Sequence, residues 1–471
     1  MTSVSTYDAL VIGSGQAGPF LAVRLAHAGM RVALIEREHL GGTCVNDGCI
    51  PTKTLLASAR AAHVARRAAS YGVELGGPVR VNMRAVKARK DQVVAQSIEG
   101  LSAWLGRTRG LEVVQGHARF LAPHEIEVAG RRLAAPRIFI NVGGRAVMPD
   151  WPGIGDVPVL TNTSMMALDE LPRHLVVAGG SYIGLEFAQM YRRFGAEVTV
   201  LEVAERLVGR EDPEVAAAVR AILEGEGIRF LLGVRDVRVD GGAGAIRIRC
   251  EAGGERHEIT GSHVLAAVGR RPNTDDLGLE QAGIETDRRG FIVVDDQLRT
   301  TVEGVWALGD ANGRGAFTHT AYNDHEIVAS NLLDREARKV SDRIPAYALF
   351  TDPPLGRVGM TEAEVRASGR EALVGMMPMT RVGRARERGE TQGFMKVIVD
   401  ARTERILGAA MLCIEGDEIV HAVLDAMAGD VSYRVLQRAV HIHPTVSELI
   451  PTLLGQLVPL AEARREADDL R

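Results

Sequence analysis

Two short apolar runs, Ala9-Leu10-Val11-Ile12 and Leu175-Val176-Val177-Ala178, introduce the same succession of elements. Each run breaks into a glycine-rich turn: Gly13-Ser14-Gly15-Gln16-Ala17-Gly18 in the first copy, Gly179-Gly180-Ser181-Tyr182-Ile183-Gly184 in the second. A stretch that predicts a helix follows, then a single glycine (Gly29; Gly195), then a second apolar strand that ends on an acid (Val32 to Glu36; Val198 to Glu202). Counted from the first glycine, the helix-ending glycine falls at +16 and the acid at +23 in both copies. Strand, glycine turn, helix and acid-ended strand form the dinucleotide-binding fingerprint. Glycines let the backbone approach a pyrophosphate at a helix N-terminus, and the carboxylate accepts from a ribose hydroxyl. One position departs: Ser181 replaces the second glycine of the second copy, so its Cβ is expected to cost some contact there.

Other apolar runs mark the remaining organisation. The run Ile138-Phe139-Ile140-Asn141 closes the first unit, and the Pro/Gly-rich stretch from Met148 to Pro158 reads as a linker. Val264-Leu265-Ala266-Ala267-Val268-Gly269 closes the second unit, and Val305-Trp306-Ala307-Leu308 runs into Gly309-Asp310-Ala311. From about Pro345 the chain carries neither glycine signature and is expected to form a separate α/β domain. At 471 residues the chain has room for two to four such domains, each with its own core.

Composition narrows the function. A net charge of -4 and an aromatic content of 4% leave no basic, aromatic-interleaved stripe for nucleic acid. No apolar run approaches the roughly 20 residues of a membrane span. The opening segment Met1 to Thr6 is short and polar, with the first strand expected from near Tyr7, so no signal peptide is expected and the protein is read as cytoplasmic. The charged tail from Glu462 to Arg471 reads as a solvated helix end.

The chemistry is concentrated in Gly41-Gly42-Thr43-Cys44-Val45-Asn46-Asp47-Gly48-Cys49-Ile50-Pro51-Thr52-Lys53. In a regular helix, Cα atoms at this spacing lie roughly 8–9 Å apart, whereas a disulfide needs about 4.4–6.8 Å. A bridge between Cys44 and Cys49 therefore requires a distorted backbone. Gly48 makes distortion cheap, and Pro51 is expected to discourage helical geometry at Ile50. A strained bridge is the reducible, catalytic kind; the bland alternative is two reduced cysteines in a loop. The other two cysteines, Cys250 and Cys413, have no partner at a telling spacing and read as small buried hydrophobes.

Together these residues resemble the pyridine nucleotide-disulfide oxidoreductases of the glutathione reductase, dihydrolipoyl dehydrogenase and mercuric reductase group, over essentially the whole chain. The resemblance implies an α/β fold with two Rossmann-like dinucleotide-binding domains and a C-terminal α+β dimerisation domain. Residues 1–150 would form the first part of the FAD domain, 151–275 the NAD(P) domain, 276–344 the return to the FAD domain, and 345–471 the dimerisation domain. By the same resemblance, Gly13, Gly15, Gly18, Glu36, Gly42, Thr43 and Asp310 match the FAD site. Gly179, Gly184 and Glu202 match the nicotinamide-nucleotide site, and Tyr182 matches the aromatic that covers the flavin until NAD(P)H enters. Cys49 would be the thiol beside the flavin and Cys44 the interchange thiol facing substrate, with hydride passing from nicotinamide to flavin and on to the disulfide. Lys53, one turn beyond Cys49, would pair with Glu186.

The string His443-Pro444-Thr445-Val446-Ser447-Glu448 resembles the family's C-terminal signature, which makes His443 the general acid/base, oriented by Glu448, and reaching the active site of the other subunit of a homodimer. His441 reads as structural, with no third ligand in view for a metal. Glu202 favours a free ribose 2′-hydroxyl and repels a 2′-phosphate, and the nearest cation after it is Arg206, so NADH is expected over NADPH. The runs Thr351 to Gly359 and Phe317-Thr318-His319-Thr320-Ala321 look more like mercuric reductase-like flavoproteins than dihydrolipoyl dehydrogenases, although the tail lacks the cysteine pair that receives mercury. The expected acceptor is a small-molecule disulfide or a metal ion such as copper(II). Dihydrolipoyl dehydrogenase is the alternative, and a flavin-binding redox sensor without turnover is the alternative of another class.

Overall fold

The computed structural model describes residues 4–463. Its first large element is a five-stranded parallel sheet in the order Val305–Ala307, Ile138–Ile140, Ala9–Ile12, Val32–Glu36, Leu111–Gln115. Uninterrupted apolar runs suit such a sheet because both of its faces are covered. Leu10, Ile12, Ala33, Ile35, Ile138 and Ile140 pack into one buried cluster. Their neighbours Ala9, Val11, Val32, Leu34 and Phe139 pack into another, together with Leu21 and Leu25 of the helix Gly18–His27. Each large side chain so buried contributes about 1.5–3 kcal/mol.

The second sheet has the same order around its first strand: Val159–Leu160, His263–Ala266, His174–Ala178, Glu197–Glu202, Arg229–Leu232, all parallel. The two sheets differ in the source of their outermost strand. Val159–Leu160 precedes the second unit in the chain, whereas Val305–Ala307 reaches the first sheet only after the second is complete. The chain passes between the units twice, at Gly144–Ala146 and Arg270–Pro272, and these passages pair antiparallel. The C-terminal element is a six-stranded sheet in the order Ala346–Leu349, Leu355–Gly359, Ile406–Leu412, Phe394–Asp400, Ala372–Pro378, Val458–Pro459, with every pairing antiparallel. The fold class is thus two Rossmann-like units plus a C-terminal α+β unit.

Two local expectations are corrected. Val4–Thr6 is itself a strand, paired parallel to Arg131–Ala134 before the chain reaches Tyr7. It is mostly exposed and polar, so no hydrophobic alternation announced it. Ile50 is helical: the helix Cys49–Arg66 starts two residues before Pro51. A proline in the first turn forfeits nothing there, because first-turn N–H groups have no intrahelical acceptor. Of the charged tail, residues 464–471 lie outside the described residues.

Candidate active site

The glycines of the two turns are required by backbone packing, in the same way in both copies. A Cβ on Gly18 would lie 2.1 Å from the Gly13 carbonyl oxygen, and one on Gly184 would lie 2.0 Å from that of Gly179. Gly13 and Gly179, both at positive φ, abut the Asn141 and Ala267 carbonyl oxygens, where a Cβ would come within 2.2 and 2.4 Å. Gly15 differs: its nearest protein atom would be 3.4 Å from a Cβ, so the protein itself leaves room for a side chain. Ser181 fills the matching place in the second turn, where its side chain is exposed and makes no capping bond. The tight position there is Gly180, whose Cβ would meet Leu207 at 2.5 Å.

The acids fold back on their own turns. Glu36 Oε2 accepts from the Ser14 backbone N–H at 3.0 Å and from the Ser14 hydroxyl at 2.6 Å. Glu202 Oε2 accepts from the Gly180 N–H at 2.6 Å, and its Oε1 from the Ala204 N–H at 2.8 Å. Each carboxylate therefore stands at the mouth of its glycine turn, on the wall of one continuous cleft.

That cleft has a volume of about 2130 Å³, against about 300–1,000 Å³ for an ordinary small-ligand pocket. It runs past both glycine turns, Gly42, Thr43, both cysteines, Lys53, Tyr182, Glu186 and Asp310. Two extended nucleotides fit its size and its lining of glycine and helix N-terminal backbone. Gly42 sits against the first turn, with space for a Cβ denied by Gly15 Cα at 2.8 Å.

Cys44 lies in the short helix Gly42–Asn46, and Cys49 opens the helix Cys49–Arg66. Gly48, the hinge between them, packs against Thr43, and a Cβ would come within 2.7 Å of the Thr43 carbonyl oxygen. Both thiols are free, and Cys49 faces the open cleft. The two sulfurs are not equivalent. The Cys44 thiol hydrogen-bonds to Cys49, and with Thr318 and Lys53 nearby this brings Cys49 down to about 6 against the opposing effect of burial. The same hydrogen bond, with burial, drives Cys44 far above the ordinary thiol range. The contact thus favours the thiolate at Cys49 and the thiol at Cys44.

Lys53 Nζ lies 2.8 Å from Glu186 Oε2 and 4.3 Å from the centre of the Phe350 ring. Glu186 is buried and its other oxygen accepts from the Phe350 N–H at 3.1 Å. Asp310 sits on the turn Gly309–Asn312, where burial pushes its carboxyl up and Arg270, 3.7 Å away, pulls the other way. Tyr182, first residue of the helix Tyr182–Phe194, stands edge-on to Phe317 and Tyr347. His443 Nδ1 is 2.8 Å from Glu448 Oε2. The His443 side chain is 81% exposed and does not line the cleft of its own chain. His441 Nδ1 instead engages the Ser447 carbonyl at 2.7 Å.

Four contributors escaped the sequence reading because they act across more than a hundred residues or through a neighbour. Thr318 Oγ1 lies 3.1 Å from Cys49 Sγ. Asn141 Nδ2 donates to the carbonyls of Gly13 (3.3 Å) and Gly15 (3.1 Å), fixing the first turn. Asp324 accepts from the Gly309 N–H at 2.8 Å and from Asn312 at 3.0 Å, holding the turn that carries Asp310. Asp47 ties the cysteine segment to the second unit, accepting from Asn162 at its carbonyl and from Thr163 at its side chain. The only signal for Thr318 was its place just inside a helix start, in a run already singled out.

Comparison with known proteins agrees with this layout. The family described as pyridine nucleotide-disulphide oxidoreductase matches residues 7–324, and its dimerisation domain matches residues 345–454. The probable pyridine nucleotide-disulfide oxidoreductase RclA of Escherichia coli (strain K12) is 37% identical over 461 residues, covering 96% of this chain and 99% of the relative. A dihydrolipoyl dehydrogenase of Thermus scotoductus is 34% identical, covering 94% of this chain and 96% of the relative. A solved structure described as the Cu(II) complex of the HOCl-induced flavoprotein disulfide reductase RclA from Escherichia coli superposes with a TM-score of 0.87 at 36% identity, covering 96% of this chain and 99% of that one. With two nucleotide units in register, a cysteine pair where they meet, and matches that span nearly its whole length, this chain belongs to the class I pyridine nucleotide-disulfide oxidoreductase family and is an oxidoreductase working with FAD and NAD(P)H.

Proposed function

We propose that this protein takes electrons from NADH and delivers them through Cys49 and Cys44 to a metal ion or small-molecule disulfide, with copper(II) the favoured metal. FAD and the nicotinamide nucleotide, when bound, supply two-electron transfer to the disulfide; the rest is done by this chain. In this reading Gly13, Gly15, Gly18, Glu36, Gly42, Thr43 and Asp310 hold FAD, and Gly179, Gly184 and Glu202 hold the nicotinamide nucleotide under the cover of Tyr182. Residues 1–150 and 276–344 then make the FAD domain, 151–275 the nicotinamide domain and 345–471 the dimerisation domain. Glu202 sets the preference for NADH, since a 2′-phosphate would face its carboxylate.

The carrying observation is the cysteine pair, set by two consecutive helices into the one cleft that both glycine turns line. Cys49, drawn toward the thiolate by Cys44, Thr318 and Lys53, retains charge through the exchange. Cys44 keeps its proton, and must lose it before attacking a disulfide or binding a metal. A base is therefore needed. His443, oriented by Glu448 and exposed, supplies it to the cleft of a partner subunit, so the functional unit is a homodimer. No relay thiol follows Cys44: Cys250 and Cys413 are buried in separate clusters, and burial raises both thiols. Cys44 thus meets the acceptor directly. The relative whose solved structure is a Cu(II) complex supports copper as that acceptor.

A steady-state comparison tests this: NADH and NADPH, each against copper(II), mercury(II), lipoamide and glutathione disulfide. NADH with copper(II) is expected to lead, with activity lost in Cys44→Ser. Lipoamide turnover far above copper(II) would instead make the protein a dihydrolipoyl dehydrogenase. No turnover with any acceptor, together with no long-wavelength thiolate band on anaerobic NADH titration, would leave only the sensor reading.

A further inference from the structure

Behind Tyr182 lies a carboxylate to which the reaction outlined above gives no part. Glu211 is 2% exposed and sits just before the helix Pro213–Gly225. Its two oxygens are used unequally. Oε1 accepts from the Tyr182 hydroxyl at 3.1 Å and from the Tyr347 hydroxyl at 2.8 Å. Among the described residues Oε2 has no hydrogen-bond partner, and neither has Arg357 Nε, although the two face each other at 3.8 Å. Tyr347 and Arg357 stand directly opposite each other on adjacent antiparallel strands, so one piece of the C-terminal sheet presents both groups to Glu211.

Resting on the reading of Tyr182 as the nicotinamide cover, we infer that Glu211 is a positioning residue that latches Tyr182 closed and, on opening, is retained by Tyr347 and Arg357. When the ring swings aside its hydroxyl must leave Glu211. A buried acceptor abandoned in this way would resist opening strongly. Here Oε1 keeps Tyr347, and a shift of about 1 Å brings Oε2 into hydrogen-bond range of Arg357 Nε. The two orphaned atoms are the second resting place of the carboxylate. The closed state is thereby favoured, but only several-fold, as a cover that opens once per turnover needs.

The latch competes with the nucleotide, because apparent affinity falls with the fraction of open protein. Removing the latch therefore tightens binding, whereas damage to packing would loosen it. The holoenzyme is titrated with NAD⁺ by calorimetry, which involves no turnover. Tyr182→Phe keeps the ring and deletes the bond; NAD⁺ is expected to bind about five- to tenfold more tightly, the effect of one charge-assisted hydrogen bond shared between two donors. Glu211→Gln, a weaker acceptor, is expected to give a smaller tightening, and none when added to Tyr182→Phe. That variant strands no cation: Arg357 and Lys396 still face Asp212, Glu214 and Glu362. Gly184→Ala is measured alongside. If it binds NAD⁺ like the parent, the nicotinamide site is elsewhere and the underlying reading fails. If it loses binding while Tyr182→Phe is unchanged or weaker, the latch alone is overturned.

Discussion

The Cys49 thiolate depends on a hydroxyl that sequence alone did not connect to it, and Thr318→Val isolates that contribution. The change removes the Oγ1 that lies 3.1 Å from Cys49 Sγ while keeping the branched shape. In the reduced parent the thiolate is expected to form with a midpoint of about 6, which would leave about nine tenths of the protein carrying it at pH 7. A hydrogen bond to a charged group is worth about 1.5–3 kcal/mol, and one pKa unit is about 1.4 kcal/mol. Taken at the lower end of that range, the loss puts the variant's midpoint about one unit higher. Thiolate at pH 7 then falls to roughly one half. The sign is that of a depressed acid: the thiolate is present above the midpoint and lost as pH falls through it, near 6 in the parent and near 7 in the variant. The assay is the pH dependence of the long-wavelength thiolate band in the two-electron-reduced, flavin-loaded protein. A midpoint that stays put would mean that Cys44 and Lys53 suffice, and would remove Thr318 from the account.

Gly18→Ala drives a Cβ to 2.1 Å from the Gly13 carbonyl oxygen, so the purified variant is expected to hold well under one FAD per chain; full flavin absorbance would contradict the cradle. Glu202→Ala should narrow the preference for NADH over NADPH in kcat/KM by roughly tenfold or more, in keeping with loss of a charged discriminating contact; an unchanged ratio would take Glu202 out of that role. His443→Gln should slow turnover about 10²–10⁴-fold while leaving flavin content and NAD⁺ affinity intact, and mixed dimers with Cys44→Ser chains should regain part of the activity if the histidine serves the partner. Absence of any recovery in the mixture would place His443 in its own subunit's chemistry.

The parts of this site that were legible in the sequence are those where backbone meets backbone. Gly18 and Gly184 cannot be replaced because a carbonyl oxygen occupies the space of their Cβ, and that demand repeats at a fixed interval before an acid. Helical spacing placed Lys53 one turn from Cys49, whereas its pairing with Glu186 was legible only through the family resemblance. What the sequence did not disclose was contact between distant segments. Thr318 is 269 residues from Cys49 and Tyr347 is 136 from Glu211, and no local period links such pairs. Pro51 misled for a different reason: its helix-breaking tendency is positional, and the first turn is where it vanishes. The Val4–Thr6 strand was invisible because edge pairing of an exposed polar segment leaves no hydrophobic trace.

The outermost strand of the first sheet has a consequence for the protein's birth. Ile138–Ile140 leaves the ribosome long before Val305–Ala307, its final neighbour, has been made. About 165 residues separate the two, which at about 5–20 residues per second is a wait of roughly 8–33 seconds. During that interval the strand presents an unpaired parallel edge, a template for pairing with the wrong chain. The second sheet has no such gap, since its strands from Val159–Leu160 to His263–Ala266 emerge as one block. Nascent chains stalled after the second sheet should therefore carry a folded downstream unit while the upstream one stays protease-sensitive, an inversion of the usual order in which domains mature.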